Sequence, residues 1–214
     1  RHAEMARLRL GGDYEWIATV QKKFIGGGIA SAVDVDAAVC IAEERDQVDD
    51  VLEIMRKMRH SSSAARVAES SHYAAIRLLL KHRPEAIVEM AGDPINNGIF
   101  PDEHSACLAI DHFVKAGDIQ SAARVAAWVM QQELFDSPLL NAITLYAALR
   151  WTELPAEQRA VKEGEEEEED VNDDDIVTLK VPWLKNAWHD GHFDLTDAAS
   201  LSGKTIAWLS REIG

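Results

Sequence analysis

Cysteine, glycine and proline are all scarce in this chain. Only Cys40 and Cys107 occur in 214 residues, far apart and each inside an apolar helical pattern. That argues against a disulfide framework or a cysteine-based zinc knuckle, and two reduced core thiols are expected. The 12 glycines and 6 prolines are too few for a collagenous or low-complexity chain. No apolar run approaches the length of a membrane span, so no membrane partner is expected. The chain opens on Arg1 without an apolar signal segment, as expected of a processed start or a fragment. Basic residues are also in deficit, with 22 Lys and Arg against 37 Asp and Glu and a formal net charge of −15. Ten of the acidic residues fall between Glu163 and Asp175, a run without a single Lys or Arg, and the rest of the chain is only mildly acidic. Such a chain cannot coat nucleic acid by bulk electrostatics, because phosphate affinity comes from Lys and Arg that release counterions. Basic proteins, or RNA held through a restricted patch, are the partners this balance allows.

What is present is ordinary globular material, 47% hydrophobic and 28% charged, enough for a sizeable core. Its periodicity is helical nearly throughout. Ile17, Val20 and Phe24 form a short stripe closed by Gly26-Gly27-Gly28, and Asp34 and Asp36 offer N-caps to a helix through about Glu44. Val48, Val51, Leu52 and Met55 recur at i, i+3, i+4 and i+7, the spacing of one buried helix face. After the serines at 61–63, helices are expected over Ser70 to His82 and from Glu85 to about Ala91, with Pro84 at the first turn. Ala106, Ala109, Ile110 and Phe113 form the next stripe, and Ile119, Ala122, Ala123 and Ala126 another, with Gly117-Asp118 between them as C-cap and N-cap. Leu139, Ala142, Ile143 and Tyr146 begin the layout again, and Ile176 to Val181 is the one alternating, strand-like stretch. Val51, Ala86 and Ala122 each lie early on the second helix of a hairpin, 35 and 36 residues apart. A helix-pair period of that size is the signature of an α-solenoid, in which each hairpin buries its face only against its neighbours.

From Gly98 to Met130 the residues become specific. Gly98, Ile99, Pro101 and Asp102 precede a first helix; Lys115, Ala116 and Gly117 end it; a second helix carries Ala122 early and Met130 late. This run resembles a pentatricopeptide repeat. Arg59-His60-Ser61, the NNGIFPD run at Asn96 to Asp102, VMQQELFDSP at Val129 to Pro138 and LNAITLYAAL at Leu140 to Leu149 resemble the branch of that superfamily found in the mitochondrial small ribosomal subunit. The resemblance covers about Tyr14 to Leu149. It implies an all-α solenoid of pentatricopeptide-like helical hairpins over 14–149. Beyond it come an acidic disordered linker over 156–175 and an aromatic-rich tail over 176–214. It further implies a non-catalytic component of the mitochondrial ribosome, without cofactor or small-molecule substrate. Its partners would be small-subunit ribosomal RNA and neighbouring mitochondrial ribosomal proteins, and further helices beyond this chain are expected. A pentatricopeptide RNA-processing or translation factor that binds single-stranded transcripts is the competing reading.

In this superfamily a repeat reads a base through the fifth residue of its first helix and the last residue of the repeat, while the second residue sandwiches the base. Counted from Glu103, these slots are His104, Cys107 and Ser137; in the preceding hairpin the fifth slot falls near Tyr73. Family readers usually carry Asn, Ser or Thr at the fifth slot, and a thiol is a weak donor and acceptor. Contact through shape or backbone is therefore favoured over base-by-base reading.

Other groupings have plainer explanations. His189, Asp190, His192, Asp194 and Asp197 could be drawn as a metal site, but Gly191 interrupts them and no second ligand cluster is in view. An aromatic docking segment with Trp183, Trp188 and Phe193 accounts for the same stretch. Trp183, Trp188 and Trp208 are costly to leave in water, so the tail is expected to fold onto the last hairpin or to be buried by a partner. His104, Cys107 and Asp111 share a helix face, which raises and then fails to support a Cys–His nucleophile, since the repeat slots already account for two of them. Gly203-Lys204-Thr205 lacks the earlier glycine of a phosphate loop, Ala198 standing in its place.

Overall fold

The computed structural model describes residues 14–159, 195 and 197–213. Among the described residues every regular element is helical. The longer helices are α1 (Tyr14–Lys22), α2 (Ala32–Ile41), α3 (Val48–Arg59), α4 (Glu69–His82) and α5 (Glu85–Gly92). They continue with α6 (Glu103–Ala116), α7 (Ile119–Gln131), α8 (Pro138–Thr152) and α9 (Ala198–Ile213). One-turn helices stand at Pro94–Asn97 and Ala156–Arg159. The strand-like stretch Ile176 to Val181 and the acidic run Glu163 to Asp175 lie outside the described residues. So do Trp183, Trp188 and the tail residues His189 to Asp194.

Most boundaries follow from local chemistry. Asp102 caps α6 in a reciprocal box: its carboxylate accepts the Ser105 N–H at 2.7 Å, and the Ser105 hydroxyl accepts the Asp102 N–H at 3.0 Å. Gly117 ends the same helix at φ 77°, where the absence of a Cβ makes the left-handed turn affordable, and Asp118 at once caps α7 by accepting the Ser121 N–H at 3.0 Å. The start of α2 corrects the sequence reading. Its N-cap is Ser31, with Asp34 returning the bond as the third helical residue, whereas Asp36 sits inside the helix and is buried. Ala156–Arg159, assigned by sequence to the acidic connection, is also a correction, since Pro155 leads into a turn of helix there.

The helices pack in two layers. Helices α2, α4, α6 and α8 lie side by side, each against the next, and α3, α5, α7 and α9 form the second layer, in which α5 packs on α7 and α7 on α9. Each first-layer helix also packs on its second-layer partner, and α1 closes the N-terminal end against α2 and α3. The residues spaced 35 and 36 apart, Val51, Ala86 and Ala122, are all buried. So are Ala106, Ala109, Ile110 and Phe113 of α6. Helix α7 is covered on nearly every side, and Trp128 is 1% exposed. Helix α9 buries Leu201 against Ala127 and Met130, and its Trp208 ring lies 5.8 Å from that of Phe135.

Helix α8 departs from the expected stripe. Leu140, Thr144, Ala147, Ala148 and Trp151 face inward, while Leu139, Ala142 and Tyr146 are exposed and Ile143 is half-buried. The helix is apolar nearly all round, so contact with α6, α7 and α9 selects the buried face, not its own periodicity.

The turn before α6 brings backbone close against a side chain of α3. Gly98 has φ 68°, and a Cβ there would stand 2.5 Å from Cβ and 2.7 Å from Cγ of Arg59. Gly98→Ala is expected to destabilise the fold by about 1–2 kcal/mol from the left-handed backbone alone, with displacement of Arg59 adding to it. Urea unfolding measures this, and an unchanged midpoint would contradict the packing described.

Candidate RNA-contacting face

The four residues singled out by sequence lie along the first-layer helices. Tyr73 is the fifth residue of α4 and His104 the second of α6; the packing of α4 against α6 brings their rings to 5.6 Å between centroids with 32° between planes. Cys107 stands one turn beyond His104 and is half-buried. Burial, reinforced by Glu103, Asp102 and Asp111, pushes its thiol pKa up, the opposite of what activates a nucleophile. Asp111 pairs instead with Lys115 Nζ at 2.6 Å. Ser137 is the N-cap of α8, its hydroxyl accepting the Leu140 N–H at 3.4 Å. Among the described residues no hydrogen bond or ring contact joins Ser137 to the other three, so the structure unites Tyr73 and His104 and places Ser137 in a capping role.

Beneath this face lies a cluster that sequence reasoning missed. His72 Nδ1 accepts the Phe100 N–H at 3.3 Å, and the two rings meet edge to face at 5.7 Å. The Arg59 guanidinium lies 5.2 Å from the Phe100 centroid, and Arg59 is buried. Burial first, and the Arg59 charge second, hold the His72 pKa down to about 4, against a smaller opposing pull from Asp102. Neighbouring residues of the NNGIFPD run have equally structural roles. Asn97 accepts a bond from Arg56 at 3.1 Å, Ile99 is fully buried, and Asp102 caps α6. The run therefore fixes where α6 starts, and with it where His104 points relative to Tyr73. The signal available in sequence was aromatic: Phe100 just after the Asn97-Gly98 turn, in a chain with only five Phe.

The same register on the flanking helices offers little polar chemistry outward. The fifth residue of α2, Asp36, is buried and accepts from the hydroxyls of Ser70 and Ser71, the latter at 3.0 Å, which ties α2 to α4. The second and fifth positions of α8 are Leu139, 70% exposed, and Ala142. The face is thus a short aromatic platform flanked by apolar and acidic side chains, able to stack against a planar group and poor in donors for reading one.

Catalytic and metal groupings gain no geometry. Among the described residues no cluster of three or more His, Cys, Asp or Glu could hold a metal ion. Of the tail candidates only Asp197 is described, and it caps α9 by accepting the Ser200 N–H at 2.8 Å. Gly203, Lys204 and Thr205 lie within α9, with the Thr205 hydroxyl donating to the Leu201 carbonyl at 2.7 Å, so they form no loop around a phosphate. Cys40 and Cys107 are both free thiols. Among the described residues no helix is long and apolar enough to cross a membrane. The model of the family described as mitochondrial 28S ribosomal protein S27 matches residues 4–214, and the chain belongs to that family, whose members are ribosome-associated components of the mitochondrial small subunit.

Proposed function

We propose that this protein is a non-catalytic scaffold of the mitochondrial small subunit, built as a pentatricopeptide-type solenoid. In this role it contacts ribosomal RNA through Tyr73 and His104 and supports mitochondrial translation. The Tyr73–His104 stack, 5.6 Å across two successive first-layer helices, is the observation that carries the reading. Aromatic platforms of this kind stack on unpaired bases without demanding a particular sequence, at about 1–3 kcal/mol per base. The order of packing supports the solenoid: successive first helices lie against one another, α5, α7 and α9 do the same in the second layer, and α9 takes the place of the second helix of the last pair. In this reading Cys107 borders the platform as a weak polar contact and Ser137 closes the repeat. In this reading α9, the described part of the tail, docks on α8.

The competing reading, a factor that selects single-stranded transcripts, needs a basic groove and hydrogen-bonding side chains in the fifth slots. Those slots hold Asp36, Tyr73, Cys107 and Ala142, and Glu103 and Asp111 border the thiol. Sedimentation with purified small subunits, followed by crosslinking, tests the proposal. The chain is expected to co-migrate with the subunit, and Tyr73→Ala with His104→Ala is expected to cut its crosslinks to ribosomal RNA by about tenfold, the loss of one stacked base. Crosslinks confined to messenger or precursor transcripts would overturn the proposal in favour of the competing reading.

A further inference from the structure

A second feature lies away from the aromatic platform, on the side of the molecule built by α5, α7 and α9. There a cavity of about 740 Å³ opens between these helices, the end of α8 and the turn Ala156–Arg159. That volume is in the range of sites that take a small molecule or nucleotide. Two arginines line it, Arg124 from α7 and Arg159 from the one-turn helix. Among the described residues neither guanidinium has an ion pair. The Arg159 group lies 5.7 Å over the Trp151 ring, and its Nε is buried without a hydrogen-bond partner. Arg124 is half-buried, and burial alone, with no carboxylate acting against it, holds its pKa below the usual arginine value.

Leaving two guanidiniums partly desolvated and unpaired is unfavourable, because the water they lose is not replaced by an anion. The cost is conspicuous here, in a chain with 37 carboxylates against 22 Lys and Arg. Two acidic side chains border the cavity and neither engages an arginine. Asp118 spends its carboxylate on the Ser121 N–H and hydroxyl, and Glu157 is exposed. Among the described residues no carboxylate neutralises either guanidinium.

We propose that this cavity binds a phosphate-bearing nucleotide, either free or as an exposed residue of an RNA strand, with Arg124 and Arg159 holding the phosphate. Guanidinium forks match phosphate oxygens two at a time. Arg159 and the Trp151 ring it lies over are side chains of the kinds on which nucleobases stack. The first turn of α7 at the cavity wall adds its positive dipole end. A carboxylate from a protein partner would satisfy the charge but would leave most of the volume and the stacked face unused. The proposal does not depend on the Tyr73–His104 platform, which lies on the other layer of helices.

Calorimetric titration of the full chain with adenosine monophosphate, inorganic phosphate and a ten-nucleotide single-stranded RNA tests it. One saturable site is expected for the nucleotide or the RNA, weakened at least tenfold by Arg124→Gln and by Arg159→Gln, with partial recovery in Arg124→Lys. Tighter binding of the RNA identifies a strand as the natural source, and equal or tighter binding of the mononucleotide identifies a free one; either supports the site. Circular dichroism establishes that each variant is folded. Absence of binding by all three probes would overturn the proposal, as would affinities unchanged in the folded Gln variants. Preference for a polyglutamate peptide over both nucleotide and RNA would overturn it in favour of a protein partner. The Tyr73→Ala, His104→Ala variant should bind the mononucleotide normally, which separates failure here from failure of the platform.

Discussion

Trp128→Ala is expected to lower the unfolding free energy by about 3–5 kcal/mol, the cost of emptying a large buried site that its surroundings cannot refill. For a chain of this length that is a fall in Tm of roughly 10 °C. The size of the effect follows from where the residue sits. Trp128 lies in α7, which is packed by α5, α6, α8 and α9, so collapse of any one neighbour is opposed by the other three. Trp128→Phe provides the control. The indole Nε1 is buried without a hydrogen-bond partner, so phenylalanine forfeits volume but also removes an unsatisfied donor, and its loss is expected to be less than half that of alanine. Differential scanning calorimetry measures both. A loss below about 1 kcal/mol for alanine would show that α7 is not enclosed by four helices.

Acidification from pH 7 to pH 4 is expected to remove about 3 kcal/mol of stability through His72 alone. The native imidazole titrates at about 4 and the unfolded one at its ordinary 6.5. Between those values the unfolded chain takes up a proton that the native state refuses, so stability is full above about 6.5 and declines until about 4. At 1.36 kcal/mol per pKa unit, the separation corresponds to roughly 3 kcal/mol. Carboxylates held below their usual range, such as Asp34 beside Lys23 and Ser31, lose their contribution at lower pH and so fall outside this window. His72→Asn keeps an acceptor for the Phe100 N–H and cannot titrate. Its urea midpoint should be nearly flat between pH 6.5 and 4.5, where the parent chain's declines; equal slopes in the two would show that His72 is solvated.

The parts of this fold legible in the sequence are those decided within a few residues. Gly117-Asp118 reads as the end of one helix and the beginning of the next because a left-handed cap and a side-chain cap are both local chemistry, and the structure places them so. The stripe Ala106, Ala109, Ile110 and Phe113 reads correctly because its opposite face is polar. Helix α8 does not, since with apolar residues all round it any face could be the buried one, and the choice belongs to α6, α7 and α9. Asp36 shows the same limit: an aspartate near a helix start looks like a cap, and only the approach of Ser70 and Ser71 from α4 gives it a buried role. Of the candidate contact residues, Tyr73 and His104 were found separately by counting slots, but their meeting is a consequence of how two helices pack. Arg124 and Arg159 were not found at all. Their meeting at one cavity depends on how α7 packs beside the turn Ala156–Arg159, which no local pattern encodes.

Helix α9 covers part of α7 and α8, and this bears on how the chain is made. Synthesis proceeds from the N-terminus, so α7 and α8 emerge long before Ala198–Ile213 is available to cover them. Until Ala198–Ile213 has left the exit tunnel, Ala127 and Met130 lack the cover that Leu201 gives them. A chain that stops just before residue 198 is therefore expected to keep these side chains in contact with solvent and to aggregate more readily than one that includes α9.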